Sequence, residues 1–471
     1  MPAKKMTLTK SVQQKADIIV VGAGHAGLCA AITAAESGAA VLLLEVSPKT
    51  MRGGNSRHTR NLRVAHQAPT ATLVGAYSEA EYLQDLLTVT SGNTNQALAS
   101  IMITQSEALL TWLGAHGVTF QKAISGSLNL EKTNAFFLGG GKALLNSLYH
   151  QAEALGVDIR YETEVLQLDL CDDRFKALSC DHRGQRTHIP ADAVILTSGG
   201  FQANEDWMRS IWGKAADNFL IRGTPYNKGL PLKDMIHHRA RLTGDARQCH
   251  AVAIDARAPK YDGGIVSRLD CVSYGIVVNN KALRFYDEGE DYWPKRYAIW
   301  GRLVAQQPEQ IAFAILDSKT VGLYMPSVYP PIVANDIKTL AGLLDIDPLA
   351  LQATINHFNH STCSGEFQAK TLDGLATQNI EPCKSNWALP LDTPPYIAFP
   401  LKPGITFTYL GLEVNSTANA IGQSGKPFPN IFAAGEIMAG NILGQGYCAG
   451  TGMTIGGVFG RIAGREAASC L

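Results

Sequence analysis

No two cysteines in this sequence form a C-x-x-C pair, although the chain carries nine: Cys29, Cys171, Cys180, Cys249, Cys271, Cys363, Cys383, Cys448 and Cys470. That scatter excludes the usual zinc and iron–sulfur ligand spacings, so no metal site is expected. An odd, unpatterned set of thiols in a chain of 471 residues reads as reduced and cytoplasmic. A surplus of charge is also lacking. The 41 Lys and Arg balance the 41 Asp and Glu, which gives no reason to expect nucleic acid or an anionic membrane surface as a partner. No apolar run approaches the ~20 residues of a membrane-spanning helix, so no membrane segment is expected. The opening residues are polar, with Lys4, Lys5, Lys10 and Lys15. They lack the continuous apolar region of a secretory signal, and residues 1–15 read as a flexible tail. There is no internal repeat and no low-complexity segment.

What is present concentrates at residues 17–63. An apolar strand at 17–21 runs into Gly22-Ala23-Gly24-His25-Ala26-Gly27, a G-x-G-x-x-G turn. A helix to about Glu36 and a second strand at 40–44 follow, and the strand ends on Glu45. Strand before, helix after and acid in register make this a dinucleotide fingerprint. Gly24 lets the backbone approach a pyrophosphate, which sits on the helix N-terminus. Glu45 is expected to accept hydrogen bonds from ribose hydroxyls.

Further glycine turns lie far apart, at Gly53-Gly54-Asn55-Ser56, Gly199-Gly200, Gly435-Glu436 and Gly452-Met453. That spread suits a long FAD molecule better than NAD. The lack of a second G-x-G-x-x-G and of a paired cysteine motif excludes a pyridine-nucleotide disulfide reductase. The expected architecture is α/β: a Rossmann-like FAD-binding domain built from residues 16–242 and 401–471, with an inserted α+β cap over 243–400. The cap stretch is richer in Tyr, Trp and Pro, with helices expected at about 294–305 and 348–360.

The Gly22–Gly27 turn, Glu45, Gly53-Gly54-Asn55-Ser56, the strand into Gly199-Gly200, and Ala433-Ala434-Gly435-Glu436 together resemble the fumarate reductase/succinate dehydrogenase flavoprotein family. Three segments are most similar to its tricarballylate dehydrogenase branch. They are residues 52–61, residues 286–297 and residues 440–461. The resemblance covers nearly the whole chain. It implies oxidation of tricarballylate to cis-aconitate, with electrons passed to a separate, membrane-associated acceptor protein. Members with covalent FAD carry a histidine just before the Gly-Gly turn. Residues 47–52 contain none, so non-covalent FAD is expected.

The implied chemistry takes a proton α to a carboxylate and passes a hydride to FAD N5. Such a site needs cations to neutralise carboxylates and stabilise enolate-like charge. The resemblance makes Arg296 the first choice for proton transfer, with Glu288, Glu290 and Asp291 as a relay and Arg268 as a weaker candidate. His250 resembles the substrate-carboxylate histidine. Arg57, Arg60 and Arg63, with His58, are read as an anion cradle for the extra carboxylate of a tricarboxylate. The family's other substrate histidine and arginine fall here on Thr406 and Tyr447, with Tyr409 nearby as a further hydroxyl. Alternative readings are a desaturase of a neutral or cyclic ketone with Tyr447 stabilising an enolate, a fumarate-reductase-like enoate reductase, and a flavin-binding electron-transfer subunit. The arginines favour a polyanionic substrate over a ketone.

Overall fold

The computed structural model describes residues 16–123 and 130–471; the expected tail over residues 1–15 lies outside them. Three apolar elements open the fold: β1 (Ile18–Val21), α1 (His25–Glu36) and β2 (Val41–Leu44). Both strands are buried at every position, as continuous apolar runs in a parallel sheet covered on both faces must be. β1 pairs in parallel with β2 and with Ala193–Leu196, and Pro427–Ala433 adds to the latter. The six-stranded sheet is thus assembled from both ends of the chain. The closing helix, Thr451–Ala468, packs on α1 so tightly that a Cβ at Gly460 would lie 2.5 Å from the Ala26 carbonyl oxygen.

A second sheet of seven strands is organised around one long strand, Tyr396–Thr408. It pairs with Leu220–Arg222, Cys249–Asp255, Ala312–Leu316 and Ile332–Ala334. The sheet therefore reaches beyond both expected cap borders, drawing in residues 220–222 and continuing past Pro400 to Thr408. Where it pairs with Cys249–Asp255 the register slips: His250 faces Phe407 and Ala251 faces Ile405, leaving Thr406 as the extra residue of a β-bulge.

Between the two glycine-rich regions the chain forms three helices, Glu79–Thr90, Gln96–Thr104 and Ser106–Ala115. The single helical stretch expected at 294–305 is corrected to two short helices, Trp293–Arg296 and Trp300–Ala305. The break frees the Ala298 carbonyl to accept the Ala251 N–H at 3.0 Å, which ties this wall to the bulged strand. Among the described residues no helix is long and apolar enough to cross a membrane, and no His/Cys/Asp/Glu group could hold a metal ion.

Candidate active site

One large cleft runs from the first glycine turn to the second sheet, with about 1690 Å³ of empty space, part of it open to solvent. Its far end is the dinucleotide fingerprint. Gly22, Gly24, His25, Ala26 and Glu45 line it, as do Gly53, Gly54, Asn55 and Ser56. Gly27 lies just beneath, where a Cβ would come within 1.9 Å of the Gly22 carbonyl oxygen. Gly24 gives α1 no side-chain cap of its own, and Ser56 Oγ accepts the first helical N–H, that of His25, at 3.1 Å; the dipole of α1 points into the cleft. Glu45 accepts the Ala23 N–H at 3.1 Å and the Ser47 N–H at 2.9 Å. Burial raises the proton affinity of its carboxyl.

Gly199, Gly435, Glu436, Gly452 and Met453 carry the lining onward. Gly200 packs behind it, where a Cβ would lie 2.0 Å from Thr408 Oγ1. Glu436 accepts the Thr408 N–H at 2.9 Å, and burial pushes its pKa up to about 7. The hydroxyl of Ser198 is buried, without a hydrogen-bond partner, and belongs to a residue on the same wall. A glycine-walled cradle, a helix N-terminus directed into it, the buried Glu45 carboxylate at the end of β2 and an orphaned hydroxyl together fit FAD.

At the other end the cleft is cationic. Arg60, Arg222 and Arg268 line it together with His58 and His250. Arg268 donates to Asp270 through two nitrogens, Nε at 2.7 Å and Nη2 at 2.6 Å. Burial opposes the Arg268 charge, but Asp270 more than offsets that and holds its pKa above the usual value. Arg222 is anchored by neutral oxygens, the Gly264 carbonyl and Thr406 Oγ1, each at 3.1 Å. Its pKa is lowered, by burial first and then by Arg268. Repulsion from Arg268, followed by burial, brings Arg60 down to about 10.

His250 and Tyr447 stack face to face, ring centres 4.1 Å apart and planes 7° from parallel. Tyr297 meets the same imidazole edge-on at 5.5 Å. Burial, then Arg222 and Arg268, holds His250 neutral, and its buried Nε2 has no hydrogen-bond partner among the described residues. The Tyr447 hydroxyl accepts the Gly452 N–H at 3.0 Å. His58 is held down to about 4 by burial and by Arg57 and Arg222.

The bulge explains how these groups meet. Released from its ladder, the Thr406 carbonyl accepts Asn55 Nδ2 at 2.6 Å and Gln202 Nε2 at 3.0 Å. Asn55 in turn accepts the Thr224 N–H at 2.8 Å. One asparagine of the flavin-side turn thus clasps the long strand and the loop that follows Leu220–Arg222.

Four expectations are corrected. Arg296 lies outside the cleft wall, its guanidinium bound to Glu290 at 2.5 Å, while Trp293 and Tyr297 on the same segment face the cleft. Glu288 is occupied by Arg284 and the Val277 N–H, so it offers no relay. Arg57 turns to the Thr50 carbonyl at 3.3 Å, and Arg63 is buried against Tyr77 and Asp85; neither joins an anion cradle. Tyr409 is fully buried with its hydroxyl on the Gly446 carbonyl at 2.5 Å, which makes it a packing residue. Arg222 and Tyr297 were not foreseen. The signal for Arg222 was faint: an arginine ending a short buried strand just before Gly223, where a Cβ would lie 2.1 Å from Asn55 Oδ1.

The model of the FAD binding domain matches residues 17–455. A probable fumarate reductase of Shewanella frigidimarina is 27% identical, over 96% of this chain and 74% of its own length. The open conformation of a flavocytochrome c3 fumarate reductase superposes with a TM-score of 0.73 at 22% identity, covering 97% of this chain and 79% of that one. The 3-ketosteroid-Δ4-(5α)-dehydrogenase of Rhodococcus jostii gives 0.74 at 22% identity, covering 99% and 100%. The chain belongs to the FAD binding domain family, among the fumarate reductase/succinate dehydrogenase flavoproteins, and is an FAD-dependent oxidoreductase acting on CH–CH groups.

Proposed function

We propose that the protein oxidises a tricarboxylate, tricarballylate to cis-aconitate, and hands the electrons to a separate acceptor protein. The observation that carries this reading is the imbalance of charge in the cleft. Three guanidiniums face it, and the carboxylate that pairs with them is Asp270, on Arg268. Buried cations without counter-ions are costly, and a small polycarboxylate supplies those counter-ions. Neutral ketones do not, although the Tyr447 hydroxyl alone would suit an enolate.

Arg222 and Arg268 hold carboxylates of the substrate by charge-assisted hydrogen bonds. They also stabilise the negative charge that grows on the carboxylate oxygens as the α-proton leaves. His250 accepts that proton at Nε2: it is neutral, unpartnered there and held in orientation by the Tyr447 stack. An anion on the neighbouring arginines raises the proton affinity of the imidazole when it is needed. Tyr447, with its oxygen fixed by the Gly452 N–H, presents its own proton to the substrate. FAD, which Gly24, Glu45, Gly53 and Gly54 would hold, would supply the acceptor for the second hydrogen as hydride, with both electrons. The reverse reaction, reduction of an unsaturated carboxylate, would use the same residues.

Anaerobic titration of the holoenzyme with tricarballylate, succinate and a cyclic ketone tests the proposal through the flavin absorbance. Bleaching by tricarballylate is expected. Bleaching by the ketone alone overturns the reading.

A further inference from the structure

We infer that Arg60 is the residue that distinguishes tricarboxylates from dicarboxylates, by seating the carboxylate that lies off the reacting carbon–carbon bond. The inference rests on the proposed substrate class and refines it.

The three cleft arginines are held differently. Arg268 is locked by Asp270, which also accepts the Trp293 indole N–H at 2.6 Å. Arg222 is locked by the Gly264 carbonyl and Thr406. Both grow from the second sheet and its loops. Arg60 comes from the other side, from the segment that follows the flavin-side glycine turn. Its own carbonyl accepts the Phe137 N–H at 2.9 Å, which fixes the backbone. Its guanidinium, by contrast, meets the Met325 sulfur, at 3.7 Å, as its one hydrogen-bond partner among the described residues. Among the described residues no carboxylate pairs with it. A cation facing a binding cleft, crowded by Arg268 and without a counter-ion of its own, is satisfied when an anion arrives.

The division of labour follows from that geometry. A dicarboxylate spanning the dehydrogenated bond is held by the fixed pair, Arg222 and Arg268, and leaves Arg60 unsatisfied. A third carboxylate, carried on the same short chain, reaches across the cleft to Arg60. The reward for that third group falls on one side chain, so selectivity is removable without dismantling the site.

The test is binding, read from the perturbation of the flavin spectrum, with propane-1,2,3-tricarboxylate and succinate as probes. Wild-type holoenzyme and R60Q are compared, and R60K is added as a conservative variant. Wild type is expected to bind the tricarboxylate more tightly than succinate. R60Q is expected to weaken the tricarboxylate about a hundredfold while changing succinate by less than about threefold, and R60K to recover part of the loss. Retention of FAD by each variant shows that the fold is intact. Equal loss on both probes, or an unchanged preference in R60Q, overturns the inference. Tight, Arg60-dependent tricarboxylate binding without flavin bleaching would sink the proposed reaction and leave this assignment standing.

Discussion

Arg268 and Asp270, two residues apart in sequence, form a buried fork in which two guanidinium nitrogens meet the two carboxylate oxygens at 2.7 and 2.6 Å. Both side chains are over nine-tenths hidden from solvent. The pair fixes one cation of the cleft in place, and the Trp293 indole braces it from the wall.

Asp270→Asn keeps the size of the side chain and removes the counter-charge. Breaking a buried pair from one side typically costs about 3 kcal/mol. The variant is expected to unfold at lower urea concentration, with a loss of about that much unfolding free energy. It should also hold anions in a less ordered way, raising KM more than it lowers FAD content. Wild-type stability in urea would remove Asp270 from this role.

Gly27→Ala should abolish cofactor binding outright. Its Cβ would fall 1.9 Å from the Gly22 carbonyl oxygen and 2.7 Å from Thr197 Oγ1, so the first turn cannot keep its shape. The purified variant is expected to be colourless, and recovery of flavin absorbance on adding FAD would contradict the reading of this turn.

Non-covalent attachment predicts that acid precipitation leaves a yellow supernatant and a white pellet. A yellow pellet would mean a covalent link despite the lack of histidine in residues 47–52.

His58 predicts a pH effect. Its folded pKa of about 4 lies below the ordinary histidine value of 6.5, chiefly through burial and the charges of Arg57 and Arg222. Between those values the unfolded chain binds the proton more readily, so this group's contribution to stability falls as pH drops from about 6.5 toward about 4. His58→Asn cannot titrate. Wild type should therefore lose melting temperature relative to the variant across that window, with a constant difference above about pH 7.5. A constant difference down to pH 4 would contradict the burial argument.

The dinucleotide end of the cleft was legible because it is local. Gly22 to Glu45 is one contiguous unit whose spacing reports a turn, a helix N-terminus and an acid together. The substrate end is built from side chains far apart in sequence. Arg60, Arg222, His250, Arg268 and Tyr447 converge only after the second sheet has formed. Sequence order pointed to Arg57 and Arg63 as readily as to Arg60. The short irregular turn Gly54–His58 and the strand Asn61–Arg63 then decide which of the three faces the cleft. Arg296 was misplaced for a related reason: a continuous helix through 294–305 gives no warning of the break that turns Tyr297, not its neighbour, to the wall. The strand Tyr396–Thr408 was hidden by Pro400 and Pro403, which ordinarily argue against a strand interior.

The bulge at Thr406 makes the site a matter of parity. Over the same span the long strand counts one residue more than its partner, and that odd residue is the one whose carbonyl binds Asn55 and Gln202. An even count would pair Thr406 into the ladder and withdraw the joint between the two halves. Single-residue deletions between Ile405 and Phe407 are therefore expected to uncouple flavin from substrate, whereas the same deletion in an exposed loop would pass unnoticed.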